Sequence, residues 1–429
     1  MNVYARDTVA EEPKAEHPYQ MLRHETIDLD NISINSEEDV RKILTVANAF
    51  NASDVLINSG RPILIRRYNK LYALTLKNLK DVELNMFLTI INGNEALSSI
   101  KKGKGLNFAY NCSAFQDRNS KSGKGYITTQ NDESWLHVNA VEKEKIIFRC
   151  NVSACNDRTG NSSFQIVQRI IPSDPPTYDQ IGLTEEFVLK AIPRLGITYV
   201  VGETGHGKST TLASMVRYVY EEDTHIQGNI ITLEEPIEFR YDGIKSKHSI
   251  IVQSQIPEHF MTFGLAVREA MRRKPALLLV AELRDQESFS AAIELSKTGH
   301  PVMSTIHSND VANVLPRIMD LVPPDQQHRK LTETISTAHA FIAQRLVETP
   351  EGKLIGVREH LFFSKSIRND LLDLAIQAGG YGLVIQYIRK MMNDNPQGTE
   401  NSSPNFENQA KDLLNKGLIS KKGFDALIA

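Results

Sequence analysis

The sequence has little of what would staple a small extracellular fold or anchor a chain in a bilayer. Three of its 429 residues are cysteine, Cys112, Cys150 and Cys155, and one is tryptophan, Trp135. An odd cysteine count, with a gap between the last two that is not CxxC, gives neither a disulfide framework nor a metal or redox pair and fits a reducing compartment. The start of the chain carries Arg6, Asp7, Glu11, Glu12 and Lys14 without the apolar stretch that a secretory signal needs. The longest uncharged run, Leu374 to Ile388, has 15 residues and includes Gly379, Gly380, Gly382, Gln377 and Gln386. It is too short and too polar to cross a membrane, so membrane association is expected through partners or a surface. An excess of one charge is also missing: 49 basic against 52 acidic residues leave −3. The surface as a whole is therefore not built to hold a polyanion, although local basic patches fit.

What is present is ordinary globular material, 41% hydrophobic and 24% charged, in a chain long enough for two or three domains. Residues 1–34 lack sustained periodicity and read as an extended or flexible leader. Ser36 and Asp39 form a capping-box signature, and Val40, Ile43, Leu44 and Ala47 follow at helical spacing, which predicts a helix over 37–50. Short strands are expected over 54–58, 63–65 and 71–76, a second helix over 82–97, and an antiparallel sheet over 108–171. Pro172-Ser173-Asp174-Pro175-Pro176 can neither continue a helix nor donate a regular ladder, so 172–177 reads as a stiff linker between an amino-terminal domain, 35–171, and a second domain, 178–366. Apolar strands at 197–201, 229–233 and 277–281 alternate with helical patterns there, as in a parallel sheet. From 367 to 429 the pattern is helical, with a mobile loop expected over 393–405. No internal repeat is visible.

Gly202-Glu203-Thr204-Gly205-His206-Gly207-Lys208-Ser209, followed by Thr210, satisfies GxxxxGK[ST] and stands between a predicted strand and a predicted helix. Its glycines let the backbone curl so that successive N–H groups face phosphate, and the helix start adds partial positive charge. Lys208 suits the β/γ oxygens, and the Ser209 hydroxyl suits Mg²⁺. Leu277 to Ala281 is an apolar run that delivers Glu282, the form a metal- or water-directing acid takes at the end of a sheet strand. Glu234, Glu235 and Glu238 crowd the end of another strand, where one of them could deprotonate the attacking water. His300 and His307 flank a further apolar run and lack the neighbours of a zinc set, so they read as γ-phosphate sensors or interface hydrogen-bonders.

Together these motifs resemble the PilT-like ATPases of type IV pilus, type II and type IV secretion systems. The loop GETGHGKSTT, the acidic box Ile231–Phe239, the stretch Leu277–Asp285 and the histidine box Thr298–Asp310 fall in that family's order. Ala52–Gly60 and IRRYNKLYAL are similar to its PAS-like amino-terminal domain, and FIAQRL, Phe341 to Leu346, to a segment late in its motor core. The long start and unusual tail are most like the DotB/TraJ branch of type IVB secretion and conjugative transfer. The resemblance implies an α/β protein with a RecA-like P-loop ATPase core, a PAS-like amino-terminal domain and a small helical carboxy-terminal region. It implies ATP and Mg²⁺ as cofactors, with Lys208 and Ser209 on phosphate and metal, Glu282 completing the metal side and Glu234 as the base. It also implies a homo-hexamer on the cytoplasmic side of an inner-membrane complex, moving protein or protein–DNA cargo.

Arg149, Arg158 and Arg169 lie in a segment similar to the one that brings arginines to nucleotide in the family. On their own residues they are equally sheet-face charges. Two departures stand out: Ala281 replaces the usual glycine before Glu282, and Pro275-Ala276 stands where Pro-Asp is usual. A pilus motor, a nucleic-acid translocase and a non-hydrolysing adaptor are the competing readings. The translocase lacks a basic stripe interleaved with aromatics.

Overall fold

The computed structural model describes residues 19–24, 27–67, 70–115, 125–127, 145–171 and 174–428. Trp135 and residues 1–18 lie outside that set. The chain divides into two compact units, Met1–Pro172 and Ser173–Ala429.

The first unit is built on a six-stranded antiparallel sheet. In spatial order its strands are Lys70–Ala73, Leu64–Arg67, Asp54–Asn58, Ser162–Ile171, Lys145–Asn156 and Leu106–Ser113. The capping box forms as expected: the Asp39 N–H donates to Ser36 Oγ at 3.3 Å, the Ser36 N–H donates to Asp39 Oδ2 at 2.9 Å, and the helix runs Glu37–Ala49. The single helix expected over 82–97 is two, Asp81–Asn92 and Glu95–Lys101, because the chain turns at Gly93, whose φ of 80° suits glycine.

The flexible-leader expectation fails for the described part of 1–34. Leu22, Ile27, Leu29 and Ile34 are buried in the core of this unit, and Leu22–His24 pairs with Gly125–Ile127. These apolar residues fill gaps one at a time. That produces burial without periodicity, and each fully buried side chain is still worth roughly 1.5–3 kcal/mol.

The second unit holds a seven-stranded sheet in the order Ser249–Gln255, Gly228–Glu234, Leu277–Val280, Val302–Ile306, Ile197–Val201, Ala338–Glu348 and Leu354–Phe362. The first six run parallel and the last antiparallel. Ile197–Val201 is buried at every position, as a strand covered on both faces must be. One strand, Val302–Ile306, separates it from Leu277–Val280.

Four helices, Lys365–Ala375, Gly380–Asn393, Phe406–Asn415 and Lys421–Ile428, complete the unit. The loop between the second and third is not loose. Ser402 and Ser403 are buried, and the Phe362 N–H donates to the Asn401 carbonyl at 2.7 Å while the Ser403 N–H donates to that of His360 at 3.0 Å. The Ser403 hydroxyl accepts the His360 N–H at 2.9 Å as well, and a polar sequence hides this pairing because it is made by backbone groups and short hydroxyls. Likewise, part of the predicted linker is tied down: Arg217 Nη1 donates to the Pro175 carbonyl at 2.6 Å.

Candidate functional site

Parallel strands bring their exit ends to one edge of the sheet, and the sequence places its chemistry there. Ile197–Val201 delivers Gly202, Gly228–Glu234 ends on Glu234, Leu277–Val280 leads to Glu282, and Val302–Ile306 leads to His307.

At Gly202, φ is 154°, and a Cβ would stand 2.5 Å from the carbonyl oxygen of Gln344 on the neighbouring strand. Gly207 caps the helix Lys208–Glu221 with φ 75°, and a Cβ there would meet Gln344 Nε2 at 3.0 Å. The loop is thus shaped against that strand. Lys208 is buried, and its Nζ donates to the carbonyls of Gly202 at 2.8 Å and Glu203 at 2.9 Å. Burial lowers its pKa, and the carboxylates of Glu282, Glu238 and Glu203 pull the other way. Glu203, Thr204, Gly205 and Ser209 are exposed, while His206 and Thr210 are half-buried. His206 Nδ1 accepts the Leu346 N–H at 2.9 Å, and burial holds its pKa below the usual value against the pull of Glu203. A ring nitrogen used as an acceptor suits a neutral imidazole.

The acids divide into two kinds. Glu234 is buried and tied into the structure: Oε1 accepts from Thr232 Oγ1 at 2.6 Å and Gln253 Nε2 at 3.1 Å, and Oε2 accepts the Glu238 N–H at 3.4 Å. Burial pushes its carboxyl pKa up, against these hydrogen bonds. Glu238 is exposed, and its charge reaches Lys208. Glu282 is gripped on both oxygens, by Arg284 Nε at 2.8 Å and His307 Nε2 at 3.1 Å, and Arg284 Nη1 also holds Glu235 at 3.0 Å. The Ala281 carbonyl accepts from Thr305 Oγ1 at 2.5 Å and its N–H donates to Leu233 at 2.8 Å, so the extra methyl sits on a fixed backbone.

The two histidines part company. His307 joins Glu282, whereas His300 stands at the entry end of the same strand, hydrogen-bonded to Thr298 Oγ1 at 3.1 Å. A five-residue strand is about 17 Å long, so within one chain His300 is on the opposite sheet edge from the phosphate loop.

Arg149, Arg158 and Arg169 belong to the first unit and are exposed. Arg149 and Arg169 face each other in register, and Arg169 Nε pairs with the buried carboxylate of Asp54 at 3.1 Å, which Arg66 also approaches at 3.6 Å. Arg158 stands apart from this row, lining a concavity of about 330 Å³ with Arg61 and Asp157.

Sequence reasoning assigned no role to the residues that shape the site from behind. Thr211 Oγ1 donates to Gln344 Oε1 at 2.7 Å, Arg358 Nε donates to the same oxygen at 2.7 Å, and Gln344 Nε2 donates to the His206 carbonyl at 2.6 Å. Gln344 lies inside FIAQRL, the only signal that marked it.

The type II/IV secretion system protein family matches residues 143–372. The chain belongs to that family. It is 27% identical over 350 residues to the type IV pilus retraction ATPase PilT of Pseudomonas aeruginosa, an alignment spanning 80% of this chain and 90% of PilT. Among solved structures it is similar to the ATPase DotB of Yersinia pseudotuberculosis, with a TM-score of 0.77 and 31% identity over 96% of this chain and 99% of that one. DotB of Legionella pneumophila gives 0.74 and 29% over 93% and 97%. The protein is therefore a PilT-like, DotB-like secretion ATPase on a RecA-like P-loop fold. Among the described residues no helix is long and apolar enough to cross a membrane.

Proposed function

We propose that the chain is the ATP-hydrolysing motor of a type IVB secretion system, Dot/Icm-like or conjugative, in which hydrolysis drives domain rotation that exports protein or protein–DNA cargo or remodels the apparatus. The similarity to DotB over nearly the whole length of both chains carries this reading. The working form is a homo-hexamer at the cytoplasmic face of an inner-membrane complex, held there by its partners.

In this reading the nucleotide lies on residues 202–210. Lys208 exchanges the carbonyls of Gly202 and Glu203 for β- and γ-phosphate oxygens, and the N–H groups of the loop meet the β-phosphate. The donor set fits Mg²⁺: an exposed serine hydroxyl at the helix start and a carboxylate, both hard oxygens, with the remaining positions left to phosphate and water. Ser209 and Glu282 would hold the ion, which neutralises charge on the phosphates when bound. Arg284 and His307 orient Glu282. Glu238, which is exposed, is better placed than Glu234 to take the proton of the attacking water, because Glu234 is buried with Oε1 occupied by Thr232 and Gln253 on two adjacent strands and Oε2 by the Glu238 N–H. Arg149 and Arg169 share one row and Arg158 stands apart from it, so the γ-phosphate would take its guanidinium partner from one of these two places.

Phosphate release by the wild-type chain and by Lys208→Ala tests the site: release must fall to background in the variant. Deletion of the gene in its own host tests the role, with loss of conjugation or effector export as the expected result. The alignment with PilT favours a second reading, pilus retraction. Loss of twitching motility with export intact would establish that reading instead.

A further inference from the structure

We infer that Gln344 is a positioning residue of the nucleotide site: its carboxamide sets the tilt of the 206–207 peptide and so aims the Gly207 N–H into the phosphate loop. The inference rests on reading residues 202–210 as the nucleotide site and goes beyond it by naming what shapes the loop.

A trans peptide carries its C=O and N–H on opposite sides. Gln344 Nε2 donates to the His206 carbonyl at 2.6 Å, so the N–H of the next residue, Gly207, is turned away from Gln344. The carboxamide itself has one way round. Its Oε1 accepts from two donors, Thr211 Oγ1 and Arg358 Nε, each at 2.7 Å, which leaves the NH₂ group for His206. Two further struts come from the same strand: the Leu346 N–H donates to His206 Nδ1 at 2.9 Å, and the Gln344 carbonyl closes on Gly202.

The support continues behind Gln344. Arg358 is half-buried and its donors go to neutral oxygens, Gln344 Oε1 and the Ile181 carbonyl at 3.0 Å. Its own carbonyl accepts from Gln409 Nε2 at 2.9 Å, on the helix Phe406–Asn415. The orientation of one phosphate-loop peptide is thus fixed through three layers of side chains.

A donor used equally before and during phosphoryl transfer changes KM and leaves kcat alone. The test measures fluorescent ADP binding and steady-state phosphate release at saturating Mg²⁺ for the full chain, Gln344→Leu, Gln344→Glu and Lys208→Ala. Gln344→Leu removes every polar contact. Gln344→Glu keeps the acceptors for Thr211 and Arg358 but sets an oxygen against the His206 carbonyl, and it retains folding through an ion pair with Arg358. Both are expected to raise KM for ATP and Kd for ADP about ten-fold, with kcat within two-fold of wild type.

Unchanged KM and Kd in either folded variant, or a fall in kcat alone, overturns the role of Gln344. If Lys208→Ala binds ADP as wild type does, the nucleotide site itself has been misplaced. If Lys208→Ala loses ADP while the Gln344 variants keep it, only the positioning role fails.

Discussion

His307 Nε2 stands 3.1 Å from Glu282 Oε1, which makes a histidine-box residue part of the setting of the acid. Groups that orient a metal-directed carboxylate are commonly worth ~10–100-fold in metal affinity or activity. His307→Ala is expected to lose activity in that range, most steeply at low Mg²⁺. His300→Ala, at the other sheet edge, is expected to remain within about two-fold, since it supports no member of the site. A Mg²⁺ titration of phosphate release on the two variants reads the contrast, and equal losses would show that His300 acts as well.

The two glutamates of the acidic box separate by their surroundings. Glu238→Gln is expected to lower kcat ~10²–10⁴-fold while ATP stays bound, as removal of a general base does. Glu234→Gln preserves the shape and most of the hydrogen bonds and is expected to lose less than about ten-fold. Phosphate release together with ATP retention on a filter decides the matter. The reverse ranking would return the base to Glu234.

Glu359 supplies a pH dependence. Burial pushes its carboxyl up to about 7, with Asp310 adding to the rise, while the N–H groups of Phe406 and Val311 and the charge of Arg345 oppose it. Because the folded pKa lies above the unfolded value, its contribution to stability is complete below the ordinary glutamate value of 4.5 and is lost as pH rises through about 7. The Tm of the wild type should fall relative to Glu359→Gln between these limits and run parallel to it above pH 8. Thermal unfolding of both proteins across that range is the check, and parallel curves throughout would contradict it.

Gly202→Ala puts a Cβ 2.5 Å from a backbone oxygen that has nowhere to go. A destabilisation of about 1–3 kcal/mol is expected, measured by denaturant unfolding. An unchanged midpoint would mean that the two strands separate more easily than their pairing suggests.

Much of the site was readable in the sequence because phosphate chemistry demands residue types at fixed spacing. Lys208, Ser209 and Glu282 needed no long-range information, and the buried strands announced themselves as unbroken apolar runs. Gln344 was not readable as a functional residue, since its three partners, His206, Thr211 and Arg358, are distant in sequence and meet only when the strands align. The packing of Leu22 to Ile34 and the pinning of Asn401 to Ser403 were hidden for a related reason: single apolar residues, backbone groups and short hydroxyls leave no period. The separation of His300 from His307 follows from counting, because a five-residue strand between two residues puts them at its opposite ends.

The ammonium of Lys208 already rests on two oxygens of its own loop. In the proposed nucleotide site an incoming phosphate would meet a cation already cradled by protein oxygens, and binding would be a trade of one oxygen cradle for another. Departure of product is the same trade run backwards, with the loop itself as the competitor. The pace at which such a machine resets is then written into how firmly Gly202 and Glu203 reclaim that nitrogen.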